Sequence, residues 1–208
     1  MTNAAAEPLI DFAAKRQARI RELRQAGDLG ALIAAAETAA DEIERRVGEN
    51  RSDEEREALL IVKRFTYNVA ADGWPGWAVS DSRPDTDLLV RALALARRSA
   101  AIVDTLRLGP LQEGTAIWLC GALELALGRY ADADRAFRTA RERSLAANAP
   151  GLALLAEGYV AIVRQIAGDQ VPAWPEDLEQ ICTRIATGGF EDGDEWIAQL
   201  RTARDVFA

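Results

Sequence analysis

Two carboxylates stand alone inside apolar runs, Glu124 in the stretch 115–128 and Glu157 in the stretch 151–163. Burying either without a partner is costly, so each must face water or meet an Arg or a hydroxyl. Three uses fit such residues. They can line a groove and grip a cationic ligand or an Arg-bearing peptide, with Arg164 as a nearby competitor; they can form a pair for acid and base work, two acids in unlike surroundings having split pKa values; or they can be plain structural ion pairs. Little else supports catalysis. The chain has no His, which removes the usual general base near neutral pH and every His-containing triad or metal site. No Gly-x-Ser-x-Gly turn and no phosphate-cradling Gly loop occurs. No catalytic residue, cofactor or enzymatic activity is therefore assigned. Cys120 and Cys182 lack the spacing of a metal or redox motif and are expected as buried, reduced thiols. The acids of the loop 187–194 lack the alternating ligands of an EF-hand, so no metal site is assigned either.

Aromatic residues supply the other candidates. The segment Gly73–Pro84, GWPGWAVSDSRP, carries Trp74 and Trp77 between helix-breaking residues. These indoles either form an aromatic lip over a ligand or partner, or fold back to seal the end of a helix pair. Trp174, before Pro175, poses the same choice.

Asp and Glu number 33 against 25 Lys and Arg, for a net charge of −8. That charge repels a phosphate backbone, so nucleic acid is not an expected partner. The first helix is locally basic, with Lys15, Arg16, Arg19, Arg21 and Arg24, which reads as a solvated face. Residues 1–10 do not resemble a secretory signal, and the two apolar runs fall short of the ~20 residues a membrane span needs. A cytoplasmic chain without membrane segments is expected.

The elements that must position these residues are helices. Roughly one residue in five is Ala, β-branched residues are sparse, and apolar residues recur at three- and four-residue intervals. Gly and Pro divide the chain into helices at about 7–26, 28–47, 53–71, 86–106, 111–127, 131–147, 151–167, 175–187 and 193–207. Ser52 with Glu55 has capping-box spacing, and Pro175 suits a first helical turn. Gly27, Gly73, Gly128 and Gly168 are each expected to close a helix in the left-handed conformation. The result is an all-α chain read as one domain, 1–208, of about four irregular hairpins, 7–47, 53–107, 111–147 and 151–187, with a capping helix at 193–207.

From Gly114 to Ala140 the sequence GTAIWLCGALELALGRYADADRAFRTA resembles a tetratricopeptide repeat (TPR), through Gly121, Gly128, Tyr130, Ala133, Phe137 and Ala140. Gly121 and Ala133 would let two helix backbones approach, while Tyr130, Phe137 and Ala140 would fill the seam to the next hairpin. The resemblance is carried by one repeat at about 114–147; Gly27-Asp28-Leu29 with Leu32, Ala36 and Ala39 is a weaker copy. It implies an α-solenoid with a concave face that binds a peptide or a partner protein without catalysis. First helices on the inner face would place Thr115, Trp118, Ala122 and Leu125 beside Leu155, Gly158, Ile162 and Gln165. Trp118, Glu124, Leu125, Glu157, Ile162, Trp74 and Trp77 are the candidate binding residues. The second expectation is a small-molecule sensor with a pocket enclosed by Trp74, Trp77, Trp118 and the two Glu. Short arrays often protect their end faces by pairing, so a homodimer is possible.

Overall fold

The computed structural model describes residues 7–48, 52–77 and 83–207. Among them the chain is all-α, with nine helices packed in adjacent pairs and no strand: α1 (Leu9–Ala26), α2 (Leu29–Glu44), α3 (Asp53–Asp72), α4 (Thr86–Thr105), α5 (Pro110–Ala126), α6 (Tyr130–Ala146), α7 (Pro150–Ala167), α8 (Leu178–Thr187) and α9 (Gly193–Phe207). Helical turns of 3-10 type follow α3 at Pro75–Trp77 and α7 at Gly168–Gln170. Each α-helix also packs on its successor, α1 lies along α3, α2 along α4, and α5 touches α3. The most extensive contact joins α5 to α6, the pair that carries Gly121, Ala133 and Phe137.

Small residues set that pairing. A Cβ on Gly121 would lie 3.0 Å from the Cβ of Ala136 and 3.1 Å from the Phe137 ring, and Ala133 is fully buried. Close backbone approach brings many dispersion contacts across this seam. Two corners differ from expectation. Gly73 is right-handed, with φ −79°; a Cβ there would lie 2.9 Å from that of Ala92, so this Gly serves the approach of α4 rather than a left-handed cap. Helix α8 begins at Leu178, not Pro175, because Asp177 and Gln180 cap it reciprocally.

Helix α9 decides the shape of the site. It packs on α7, α8 and the Pro75–Trp77 turn. Two α7 glycines receive it: a Cβ on Gly151 would lie 2.3 Å from the Trp196 ring, and one on Gly158 2.5 Å from Leu200 Cδ2. At its far end the Arg83 guanidinium donates to the Val206 carbonyl and lies 5.5 Å from the Phe207 ring centroid. Helix α7 is mostly apolar, with Glu157, Arg164 and Gln165 as its charged and amide side chains. Its stretch Pro150–Gln170 has the length and composition of a membrane span, longer than the sequence runs suggest, but 72% of that window is buried in the fold, as befits a core helix.

Candidate functional site

Aromatic rings from the turn after α3 and from α5, α6 and α7 meet in one cluster. Trp74 contacts Trp77 at 4.9 Å and 86° and Trp118 at 5.5 Å and 78°, both edge to face. Trp118 meets Tyr159 of α7 at 5.3 Å and 74°, and Tyr159 stacks on Phe137 of α6 at 4.9 Å. Such aromatic pairs add about 0.5–1.5 kcal/mol each beyond area burial, and here the edge-to-face and stacked pairs together tie the turn after α3 to α5, α6 and α7. The indole nitrogens of Trp74 and Trp118 have no hydrogen-bond partner; rings packed edge to face leave π faces for such donors. Gly76 is required, because a Cβ there would lie 2.3 Å from the Trp74 ring. Tyr159 Oη accepts from Gln199 Nε2 of α9 at 3.0 Å, and burial pushes its phenol pKa up.

Beside this cluster is a cavity of about 170 Å³, walled by Tyr67 of α3, Trp77, Thr115 and Trp118 of α5, Ser144 of α6, Leu152, Leu155 and Ala156 of α7, and Gln199 of α9. The Thr115 and Ser144 hydroxyls donate to Leu111 and Ala140 carbonyls, so each retains only acceptor capacity. The Tyr67 hydroxyl has no hydrogen-bond partner among the described residues, and burial raises its pKa to about 12. It remains a neutral phenol and an available donor. A wider cleft of about 380 Å³ runs between α2 and α4, but its charged groups, Arg98 and Glu44, are paired with each other at 2.7 Å, and Arg98 is also held by Asp41 at 2.7 Å.

The sequence-derived candidates separate in this geometry. Trp118 and Trp77 both line the cavity, and Trp77 is half exposed, with Nε1 donating to the Ala71 carbonyl. Trp74 is a buried plug rather than a lip. Residues 78–82 of its segment lie outside the described residues. Leu125 and Ile162 do not line an open groove: they are 2% and 0% exposed, enclosed by the core to which both belong. Of the other inner-face residues, Ala122 and Gly158 are buried too, while Thr115 and Leu155 reach the cavity. Trp174 packs against guanidiniums, 4.8 Å from Arg138 and 5.7 Å from Arg141.

The two buried acids are not a pair. Glu124 accepts from Arg97 of α4 and, at 3.3 Å, from Arg129. Glu157 accepts from Arg141 of α6 at 2.6 Å and Arg184 of α8 at 2.8 Å. Arg164 does not compete; it serves Gly168, Val171 and Asp169 at the end of its own helix. Each acid therefore has both oxygens engaged by guanidiniums. Among the described residues no cluster of three His, Cys, Asp or Glu gathers to hold a metal.

Tyr67, Tyr159 and Gln199 were not singled out by sequence. Tyr159 carried a signal, a polar-tipped ring inside an aliphatic helix that needs a partner when buried. Gln199 carried none, being one polar residue on an amphipathic helix.

The fold and cavity define a class, an all-α protein of paired helices enclosing an aromatic-walled pocket. No family description, curated protein or solved structure matches the chain.

Proposed function

We propose that the protein is a non-catalytic, TPR-like binding module that holds a small, largely apolar ligand in the cavity between α3, α5, α6, α7 and α9. The observation that carries this reading is the cavity itself, about 170 Å³ walled by Trp77, Trp118 and Leu155, with the Tyr67 hydroxyl unengaged beside it. Apolar walls with few placed polar groups are the usual form of a small-molecule site. An apolar cavity of roughly 150 Å³ is enough for a benzene-sized ring. The TPR-like reading is supported by the Gly121 seat against Ala136 and Phe137.

The indole walls would enclose a ring, and Tyr67 would donate to an acceptor on the ligand. Gln199 would couple occupancy to α9. Peptide binding along the inner face is supported by half-exposed Trp77, but α9 occupies the α7 part of that face, which favours the small ligand. The test is a titration with small aromatic compounds read by tryptophan fluorescence. Saturable quenching is expected, weakened at least tenfold by Thr115→Phe, which fills the mouth from an exposed position. The absence of quenching across the compounds, or an unchanged affinity in the variant, overturns the reading.

A further inference from the structure

Lys63 stands one turn before Tyr67 on α3, facing α5; it does not itself line the cavity but lies against Tyr67, which does. Its ammonium donates to Gln112 Oε1 at 2.7 Å, one turn before Thr115, and lies 5.9 Å from the Tyr67 ring centroid. Its hydrogen-bond partner is thus a neutral amide, and no described carboxylate pairs with it. Nearby cations are treated differently. Arg143, beside Gly114, is neutralised by Glu113 at 3.2 Å, and Arg97 by Glu124. Partial burial and the like charge of Arg64 hold the Lys63 pKa below its ordinary value, the mark of a cation short of counter-charge.

The ring that walls the cavity and the uncompensated ammonium therefore share one stretch of the α3–α5 seam. We infer that the ligand is a small aromatic carboxylate, its ring among Trp77, Trp118 and Leu155 and its carboxylate held by the Lys63 ammonium and the Tyr67 hydroxyl. The assignment rests on the cavity being a ligand site and adds the charge and shape of the occupant. The anion would receive a charge-assisted hydrogen bond from each group. It would also relieve the unpaired cation. The net charge of −8 opposes this only weakly, since distant exposed charges are screened beyond about 8 Å at physiological salt.

The experiment compares 3-phenylpropionate with 3-phenylpropanol, which share the ring and chain length but differ in charge. Each is titrated at pH 7 into the native protein and into Lys63→Met and Thr115→Phe, by calorimetry and tryptophan fluorescence. The carboxylate is expected to bind native protein about fivefold or more tightly than the alcohol, given the modest worth of half-exposed ion pairs. The preference should vanish in Lys63→Met, with alcohol affinity unchanged, and survive in Lys63→Arg. Equal binding of the two compounds to native protein overturns the carboxylate assignment and leaves the cavity reading intact. A preference that persists in Lys63→Met also overturns it. Binding of neither compound overturns both. The native comparison needs no variant, so a folding defect in Lys63→Met would not obscure the result.

Discussion

Glu124 and Glu157 each lie between two guanidiniums, and the exposure of those partners sets what the arrangement contributes. Both acids are about 4% exposed, whereas the side chains of Arg97 and Arg184 are 60% and 47% exposed. Removing one Arg leaves a buried carboxylate with a single partner; removing the acid lets the Arg return to water. The acid's need for a partner was legible from its apolar surroundings. The more distant partner of each acid was not, because Arg97 and Arg184 are each 27 residues away along the chain. Cys120 belongs to the same scale. Burial raises its thiol pKa from 9.0 to about 11. The folded thiol thus keeps its proton where the unfolded thiol has lost it. The resulting stability, on the order of 2 kcal/mol, is complete below pH 9 and disappears as pH rises to about 11. Tyr67 acts the same way from 10 to about 12, and Lys63, with its lowered pKa, acts oppositely. Urea unfolding between pH 8.5 and 11 is expected to show a shallower alkaline loss for Cys120→Ala than for native protein. Identical slopes would refute the Cys120 contribution.

Three successive helix ends close with the same device. Arg107 with Leu108, Gly128 with Arg129, and Asn148 with Ala149 each return two amides to the last turn of α4, α5 and α6, and the turning residue is left-handed, with φ 51°, 70° and 55°. Only the middle corner was readable as a glycine stop. Arg107 and Asn148 adopt a conformation that L-residues other than Asn and Asp seldom take, held there by the paired amide hydrogen bonds to the last helical turn. Asn148→Gly is therefore expected to stabilise the protein by about 0.5 kcal/mol and Arg107→Gly by about 1 kcal/mol, while Gly128→Ala destabilises it by about 1 kcal/mol. Chemical denaturation midpoints measure all three, and a destabilised Arg107→Gly would contradict the account. Gly73 shows the converse. Its neighbours looked like a helix stop, but the reason for glycine is the Ala92 methyl of α4, a contact that local sequence cannot report.

At the scale of the whole molecule, α9 supplies one wall of the half-open cavity through Gln199. It lies over Gly151 and Gly158, donates from Gln199 to Tyr159, and ties Arg201 and Arg204 to Glu179 of α8. Gly158→Ala is expected to cost about 1–3 kcal/mol through the clash with Leu200. Leu200→Ala in that background should cost less than it does alone, because the clash is removed with the side chain. Additive losses in a double-mutant cycle would show that α9 does not seat on Gly158.

The chain by itself determined the helices and most of their ends, because apolar spacing and capping residues act within a few residues of one another. It also determined that Glu124 and Glu157 would have to face water or find a partner. The tertiary structure alone decided that Leu125 and Ile162 are core, that each acid meets two arginines, and that Tyr67, Trp118 and Gln199 wall one space. Those outcomes depend on which helix faces meet, and that is set by close approach at Gly73, Gly121 and Gly158 between segments far apart in sequence.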